Sequence, residues 1–587
     1  MDEKIEKVIA LAGNEHRYQY FTLVVIVFLW INCNFIAIVI PYLEREPIIN
    51  YKDKHGKYHY NVTLSNELCR QVHGSYNVVE SFNYSWVSEF GIECKKVEIG
   101  FIGSFAFIGN TLGGLVFSSV NKFISHKNIL IISSLGFCTA VFLSTLIHSF
   151  DYFYYLLICE IFIGLFGNCL CYSSLVVAQE VVSNEKRSIF SSIINVGYSL
   201  CGILYSLAFY YFQDWRIVFY ILTGASFFTL ILIWIFIYDS PRGYINKKNY
   251  RETMKILEGI ASFNGKLDEF RESIRLDEYQ DIINEIRGEE NINIEDCNNE
   301  KQEIKEEENE DKNEEKKEDI NKEIDIDKTN ENMPILSTNL INKEKNQDII
   351  KELYNEENNE NDNKEKEKEK KAKIQKIGVF TLFKYQSIRF KFVILNILWI
   401  GTRASFNGIA ISSKSFPGNF YINIIILYII ESISYCVSGC MIEVKKLGRK
   451  RSLWIQYLII IITFCLLAFL KLGIIPALTL NFIARFCASG IEVIYYTYTL
   501  ELYPTPVRSI AFGINATFGN GGSIIAPMLL EFLPIWLFLT LFAFICGLNA
   551  FLVIFLPETV GKPMVETIEE LDNIGGEIDK LESEKNE

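Results

Sequence analysis

Runs of about twenty apolar residues, the length at which a helix crosses about 30 Å of hydrocarbon, alternate with short polar joints along most of this 587-residue chain. A water-soluble domain interleaves apolar and polar positions at helix or strand period instead. The pattern predicts six spans near Phe21–Tyr42, Gly100–Val120, Ile129–His148, Tyr152–Ala178, Ile189–Tyr211 and Ile217–Ile237. Six more are expected near Phe390–Ile411, Ile422–Ile442, Leu453–Leu472, Ile475–Tyr498, Ile510–Leu530 and Ile535–Leu556. The fold class is therefore an all-α membrane protein, with about twelve helices in two six-helix bundles. It divides into a cytoplasmic segment 1–20, a first bundle 21–240 that includes an outer loop 44–98, a central loop 241–388, a second bundle 389–556 and a tail 557–587.

Charge refines this picture. The net charge is -14, but much of it sits in one stretch from Asp268 to Lys371, with runs such as IKEEENEDKNEEKKED and NKEKEKEKKAK. That stretch holds too little apolar content to repay the entropy of ordering, so a disordered cytoplasmic linker is expected, as a spacer or as the seat of a regulatory partner. Lys and Arg resist translocation in short loops. The basic joints at Lys122 with Lys127, Lys186 with Arg187, Arg242 with Lys247, Lys445 to Arg451, and Arg508 all fall on one side under strict alternation. Both termini are then cytoplasmic, and the plasma membrane is the first expectation, an endomembrane the second. The segment Glu44–Glu98 lies outside, in agreement with its two glycosylation sequons at Asn61 and Asn83.

Fourteen cysteines scatter mostly through apolar segments without a CxxC pair, and HExxH is absent. No metal site, cofactor or enzyme chemistry is expected, and acidic or mixed charge runs give no reason for nucleic-acid binding. Cys69 and Cys94 share the outer loop, where an oxidising compartment permits a disulfide, the alternative being two free thiols.

The halves echo each other. Glu180 is followed by Arg187, and Glu501 by Arg508, each pair at the cytoplasmic end of a fourth span. Such groups can exchange ion-pair partners between two orientations of the bundles, as a gate requires. A helix end decorated with charge explains either pair alone, and their recurrence favours the gate.

Several stretches resemble the organic cation/anion transporter family of the major facilitator superfamily. They are LAGNEHRYQYF from Leu11, SWVSEFGIEC from Ser85, DSPRGYI from Asp239 with ASFNGK after it, ELYPTPVR from Glu501, GSIIAP from Gly522 and LPETVGKPMVETIEEL from Leu556. The resemblance implies a carrier of a small organic solute across the lipid bilayer. It also implies a cytoplasmic latch, in which Arg449 and Lys450 take part. The loop Ser118–Lys127 departs from the pattern by placing Asn121 where Asp is expected, and Lys445 stands at the acidic position of the second copy, with Glu443 nearby.

An ionisable side chain at midspan costs several kcal/mol unless paired or wetted. Glu160, Arg403, Glu431, Arg485 and Glu492 are such groups. Glu160 and Arg485 are expected in structural ion pairs. Arg403 lies four residues after Trp399 and three before Phe406, on one helix face. The resemblance places these two aromatics in the family's pocket, where π faces attract organic cations. A buried arginine holds a carboxylate instead, unless it is occupied by Glu431 or Glu492. The resemblance also marks Asn520 as the position that is acidic in cation carriers and arginine in anion carriers.

The resulting reading is alternating access by a carrier of organic cations, anions or carnitine-like zwitterions, leaning to a zwitterion or an anion. Arg403, Glu431 and Glu492 would recognise charge, Trp399, Phe406 and Asn520 would shape the pocket, and Glu180, Arg187, Glu501 and Arg508 would work the inner gate. A sugar or polyol carrier is the alternative within transport. A sensor that binds solute without transporting it is the alternative outside it, motivated by the altered loops.

Overall fold

The computed structural model describes residues 11–13, 16–52, 57–63, 76–78, 85–120, 123–182, 187–239, 241, 244, 250–274, 381–416, 418–444 and 446–559. The first half contains α1 (Arg17–Cys33), α2 (Phe35–Leu43), α3 (Trp86–Glu89), α4 (Lys96–Val120), α5 (His126–Thr145), α6 (Phe153–Glu180), α7 (Arg187–Phe212) and α8 (Trp215–Phe236). Then come α9 (Tyr250–Phe263), α10 (Leu267–Ile274) and α11 (Thr381–Lys384). The second half contains α12 (Gln386–Ser412), α13 (Phe420–Glu443), α14 (Gly448–Phe469), α15 (Ile474–Leu502), α16 (Thr505–Ser523), α17 (Ile525–Phe532) and α18 (Ile535–Val553).

Among the described residues, eleven helices are long and apolar enough to cross a membrane, with α1 and α2 forming one crossing, Arg17–Leu43. Their outward faces carry large apolar side chains such as Phe227, Phe228, Trp234, Phe544 and Phe551, while Asn32, Ser174, Gln456 and Asn549 are buried. Apolar outside and polar within is the distribution suited to hydrocarbon surroundings. Short polar caps start several helices: the Asp214 carboxylate accepts from the Arg216 N–H at 2.8 Å, and Asn419 Oδ1 accepts from Tyr421 and Ile422.

The crossing expected at Ile510–Leu530 is divided between α16 and α17. The glycine-rich sequence explains this: a Cβ on Gly522 would lie 2.3 Å from the Ile400 carbonyl oxygen, so α16 touches the α12 backbone there. Ser523 Oγ then donates to the Arg403 carbonyl, and the Ile524 N–H turns back to Gly521.

Within the first half α4 and α5 pack on α6, α5 on α8 and α1 on α7; within the second, α12 packs on α16, α14 on α18 and α15, and α13 on α15. The halves meet through α7 with α13, and through α4 with α16 and α17. These are equivalent pairings of the two bundles.

Two features depart from the sequence reading. The segment 44–98 holds a three-stranded antiparallel sheet of order β2-β1-β3, built from β1 (Ile48–Lys52), β2 (Tyr58–Thr63) and β3 (Tyr76–Val78), with a register shift between Ile49 and Tyr51. The central loop is helical at its start: the acidic stretch begins inside α10, where Phe270 and Ile274, one turn apart, are both buried. Helix α9 is tied to α1, with Asn264 accepting from the Tyr18 N–H at 2.8 Å and Phe263 packed on Tyr18 and Phe21. Residues 275–380 lie outside the described residues.

Candidate functional site

A cavity of about 70 Å³ lies between the halves, walled by α1, α2, α4, α6 and α7 on one side and by α12, α13, α15 and α16 on the other. Its charged wall belongs to the second half. Arg403 on α12 sets Nη1 2.7 Å from Glu492 Oε1 on α15, and its Nη2 donates to the hydroxyl of Tyr496, one turn after Glu492. The guanidinium also lies 5.9 Å from the Trp399 ring centroid and 5.8 Å from that of Tyr496. Arg403 Nε and Glu492 Oε2 have no hydrogen-bond partner among the described residues. Both atoms are buried, so the cavity meets this pair through the remaining guanidinium and carboxylate surface, one cation and one anion in a single wall.

Asn520 lines the same cavity, as do Tyr198, Tyr435 and Tyr496. The opposite wall is neutral and polar, with Asn34, Asn110 and Asn168, and Asn168 Nδ2 donates to the Asn110 carbonyl at 2.6 Å. These tyrosines and asparagines are absent from the sequence reading. The asparagines carried a usable signal, as polar residues in apolar runs, and Tyr496 lies one turn from Glu492.

Three expected pocket residues stand behind the wall rather than in it. Glu431 does not face Arg403: it forms an ion pair with Arg485, and both side chains are fully buried. Arg485 Nε lies 2.9 Å from Glu431 Oε2, Tyr435 donates to Glu431 Oε1 at 2.6 Å, and Arg485 Nη1 donates to the Phe406 carbonyl at 2.6 Å. Phe406 lies under that guanidinium, 3.8 Å from its ring centroid. Trp399 is buried, with Nε1 donating to Thr499 Oγ1 at 3.0 Å. Of the two groups expected in structural pairs, Arg485 is in one. Glu160 is fully buried with no hydrogen-bond partner for either carboxylate oxygen among the described residues.

At the end bearing the 44–98 segment, the halves are pinned by a bridge that the sequence reading missed. Lys414 Nζ, in the turn after α12, lies 2.8 Å from Glu44 Oε2 and 2.5 Å from Glu531 Oε1. Tyr42 packs edge-on against Phe420, and Arg45 donates to the Tyr421 hydroxyl. Burial raises the Glu44 carboxyl to about 7, with Lys414 pulling it down and Glu531 pushing it up. Burial also raises the nearby Glu46 to about 7.

At the opposite end Arg449 Nη2 lies 2.9 Å from Glu501, which also accepts from Thr559 Oγ1. Glu558 accepts from the Arg449 and Lys450 N–H groups at 3.0 Å each, capping α14, and Lys450 Nζ donates to the Ile554 carbonyl. Asp239 does the same for α5 through the Lys127 N–H at 3.3 Å. Glu501 is therefore held by Arg449 and not by Arg508, whose Nε donates to the Tyr503 carbonyl. Glu180 ends α6, whereas the side chain of Arg187, together with Cys69, Asn83, Asn121 and Lys445, lies outside the described residues. Asn61 lies on β2, and Cys94 is disulfide-bonded.

Comparison with known proteins extends the picture. A profile of the Major Facilitator Superfamily matches residues 22–314 and 353–573. The chain is 29% identical over 206 residues to solute carrier family 22 member 16 of Xenopus laevis, which is 34% of this chain and only 35% of that protein's length. It is 21% identical over 505 residues to organic cation/carnitine transporter 2 of Rattus norvegicus, 84% of this chain and 72% of that one. It is 24% identical over 509 residues to organic cation transporter 1 of Caenorhabditis elegans, 84% and 69% of the two chains. The inward-open xylose transporter XylE from E. coli superposes with a TM-score of 0.57 at 15% identity, covering 95% of this chain and 100% of that one, a likeness of fold alone.

Proposed function

This chain belongs to the Major Facilitator Superfamily, and on that premise we propose that it carries a small organic ion, a zwitterion of the carnitine type first, by alternating access of the central cavity. The observation that supports this solute is the Arg403–Glu492 pair, a cation and an anion in a wall that also presents Tyr198 and Tyr496. A quaternary ammonium finds tyrosine faces and the Glu492 carboxylate, while a solute carboxylate finds Arg403. The names of the relatives, organic cation and carnitine transporters, point the same way.

On the orientation read from the basic joints, the Lys414 bridge closes the outside and the Arg449–Glu501 pair belongs to the inside. Rocking of the halves would break the first and admit solute. That Arg449, Glu501 and Glu558 remain joined despite the altered loops supports a working carrier over a mute sensor. We place it in the plasma membrane, with the acidic stretch as a spacer between the two halves. The test is uptake of radiolabelled carnitine, tetraethylammonium and glucose by reconstituted vesicles. Carnitine is expected to accumulate and to be competed by tetraethylammonium; saturable glucose uptake that ignores both would overturn the reading.

A further inference from the structure

Glu160 serves neither the cavity nor the two ends of the bundle. It lies in α6, seven residues after Phe153, or about 10 Å along the helix from the end that bears the 44–98 segment. Its side chain is fully buried, and both carboxylate oxygens lack a hydrogen-bond partner among the described residues. The elements packed on α6 are α1, α2, α4, α5, α7 and the 3-10 turn Phe150–Tyr152, whose Asp151 sits at the very start of the helix. The charged residues of these helices, Arg17, Lys96, Glu98, His126, Lys127 and Arg187, all fall within their first three positions, and residues 18–43, 99–120, 128–145 and 188–212 contain no Asp, Glu, Lys, Arg or His. Their remaining titratable side chains are tyrosines and cysteines such as Tyr42, Tyr205, Cys33 and Cys138, which are neutral at ordinary pH.

A second carboxylate, that of Glu44, reaches the same α4–α6 contact. Close packing of α4 and α6 explains how the two come near. A Cβ on Gly164 would lie 2.5 Å from the Ala106 carbonyl oxygen, and one on Gly103 would lie 3.1 Å from Glu44 Oε1. Residue 160 is one turn from Gly164 on the same face of α6, and Gly103 lies about one turn from Ala106 on α4, toward the same end. An ionised Glu160 would have no hydrogen-bond donor among the described residues, and the charged side chains of the helices around it are confined to their ends. Burying a charge in that condition costs several kcal/mol, whereas the neutral acid does not incur that cost.

We propose that Glu160 is a proton-binding site that exchanges with the solution on the 44–98 side when the Lys414 bridge opens, and that couples solute movement to proton movement. The bridge joins Glu44 of the first half to a lysine of the second, so separating the halves removes the Glu44 counter-ion and wets the Glu44–Glu160 region. Loading forms one O–H bond between a carboxylate oxygen and a proton taken from water; release reverses it, with no redox change. Toward the cavity, the face of α6 that carries Glu160 continues through Gly164 to Asn168, which lines the cavity wall. The proton site stands by itself, and the coupling rests on the transport reading above.

Two measurements on the full chain separate these parts. In the infrared spectrum of wild type minus Glu160→Gln, purified in lipid discs at neutral pH, a carbonyl band of a protonated carboxyl that shifts in D2O is expected. The paired bands of an ionised carboxylate, or no difference, would overturn the proton site. Glu160→Leu supplies the same subtraction if the Gln variant does not fold. In vesicles carrying tetraethylammonium or carnitine, an imposed pH gradient is expected to speed wild-type uptake about tenfold, a coupling of ordinary size, with a matching signal from an entrapped pH dye. Glu160→Gln keeps exchange without a gradient and loses that response. An unchanged response in the variant, or solute movement without proton movement in wild type, overturns the coupling. If wild type carries neither solute, the solute class fails, while the infrared band still decides the proton site.

Discussion

Arg403 and Glu492 hold each other at 2.7 Å across α12 and α15 while keeping 15% and 8% of their side chains accessible. The neighbouring Arg485–Glu431 pair keeps none. On the proposed function, the first pair is the one that a solute in the cavity would reach, and the second is shielded from it. Glu492→Gln removes the negative charge and leaves Arg403 in positive excess. Uptake of tetraethylammonium is expected to fall at least about tenfold, which corresponds to about 1.4 kcal/mol. Arg403→Met should spare tetraethylammonium and weaken carnitine, with surface expression measured alongside. Equal loss of both solutes in both variants would assign the pair to structure.

Arg485 is fully buried in its pair with Glu431, and its removal is expected to act on stability. Replacing it with Met leaves the Glu431 carboxylate fully buried without its counter-ion, a change that costs about 3–5 kcal/mol when one partner of a buried pair is removed. Heat denaturation in detergent should show a marked fall in the midpoint. The double variant Arg485→Met with Glu431→Leu should recover most of it, since an apolar pair of similar volume needs no compensation.

Most of the fold was legible because each crossing is a continuous apolar run. The break between α16 and α17 was not, since it follows from the contact of Gly522 with the Ile400 backbone, which no one-dimensional pattern records. The sheet in the 44–98 segment lies in a stretch without strong alternation. At the site, ionisable residues within spans announced themselves, but their partners did not. Glu431, Arg485, Arg403 and Glu492 are four charges on three helices, and only packing decides that Glu431 joins Arg485 and Glu492 joins Arg403. Lys414 and Glu531 sit at helix ends, where charge is ordinary and gives no sign of a partner.

The closed end at Lys414 should respond to pH. Glu44 and Glu46 are raised by burial to about 7, so the closed form binds protons more tightly than a form in which these carboxyls are solvated. Their contribution to the closed form is complete below the ordinary carboxylate range and is lost as pH rises through about 7. The labelling rate of a cysteine at Tyr42→Cys by a reagent added from the 44–98 side, divided by that of a free model thiol at the same pH, should rise between about pH 6 and about pH 8, over that titration. Glu44→Gln together with Glu46→Gln should flatten the change.

Helix α4 touches α6 backbone to backbone. A Cβ on Gly109 would meet the Ile161 carbonyl oxygen at 2.3 Å, and small residues at such crossings permit the close approach that packs helices in lipid. Gly109→Val should abolish a folded, monodisperse product in size-exclusion chromatography. Gly224→Val, at a position with no neighbour within 4 Å, should not.

The central claim is that the cavity beside Arg403 opens to each side in turn and holds the solute. It is tested most directly by Asn520→Cys in a background with Cys33→Ala and Cys171→Ala, labelled with an impermeant thiol reagent in right-side-out and in inside-out vesicles. The account predicts labelling from both sides and protection of about tenfold by saturating carnitine. Labelling from one side only, or labelling that carnitine leaves unchanged, would contradict it.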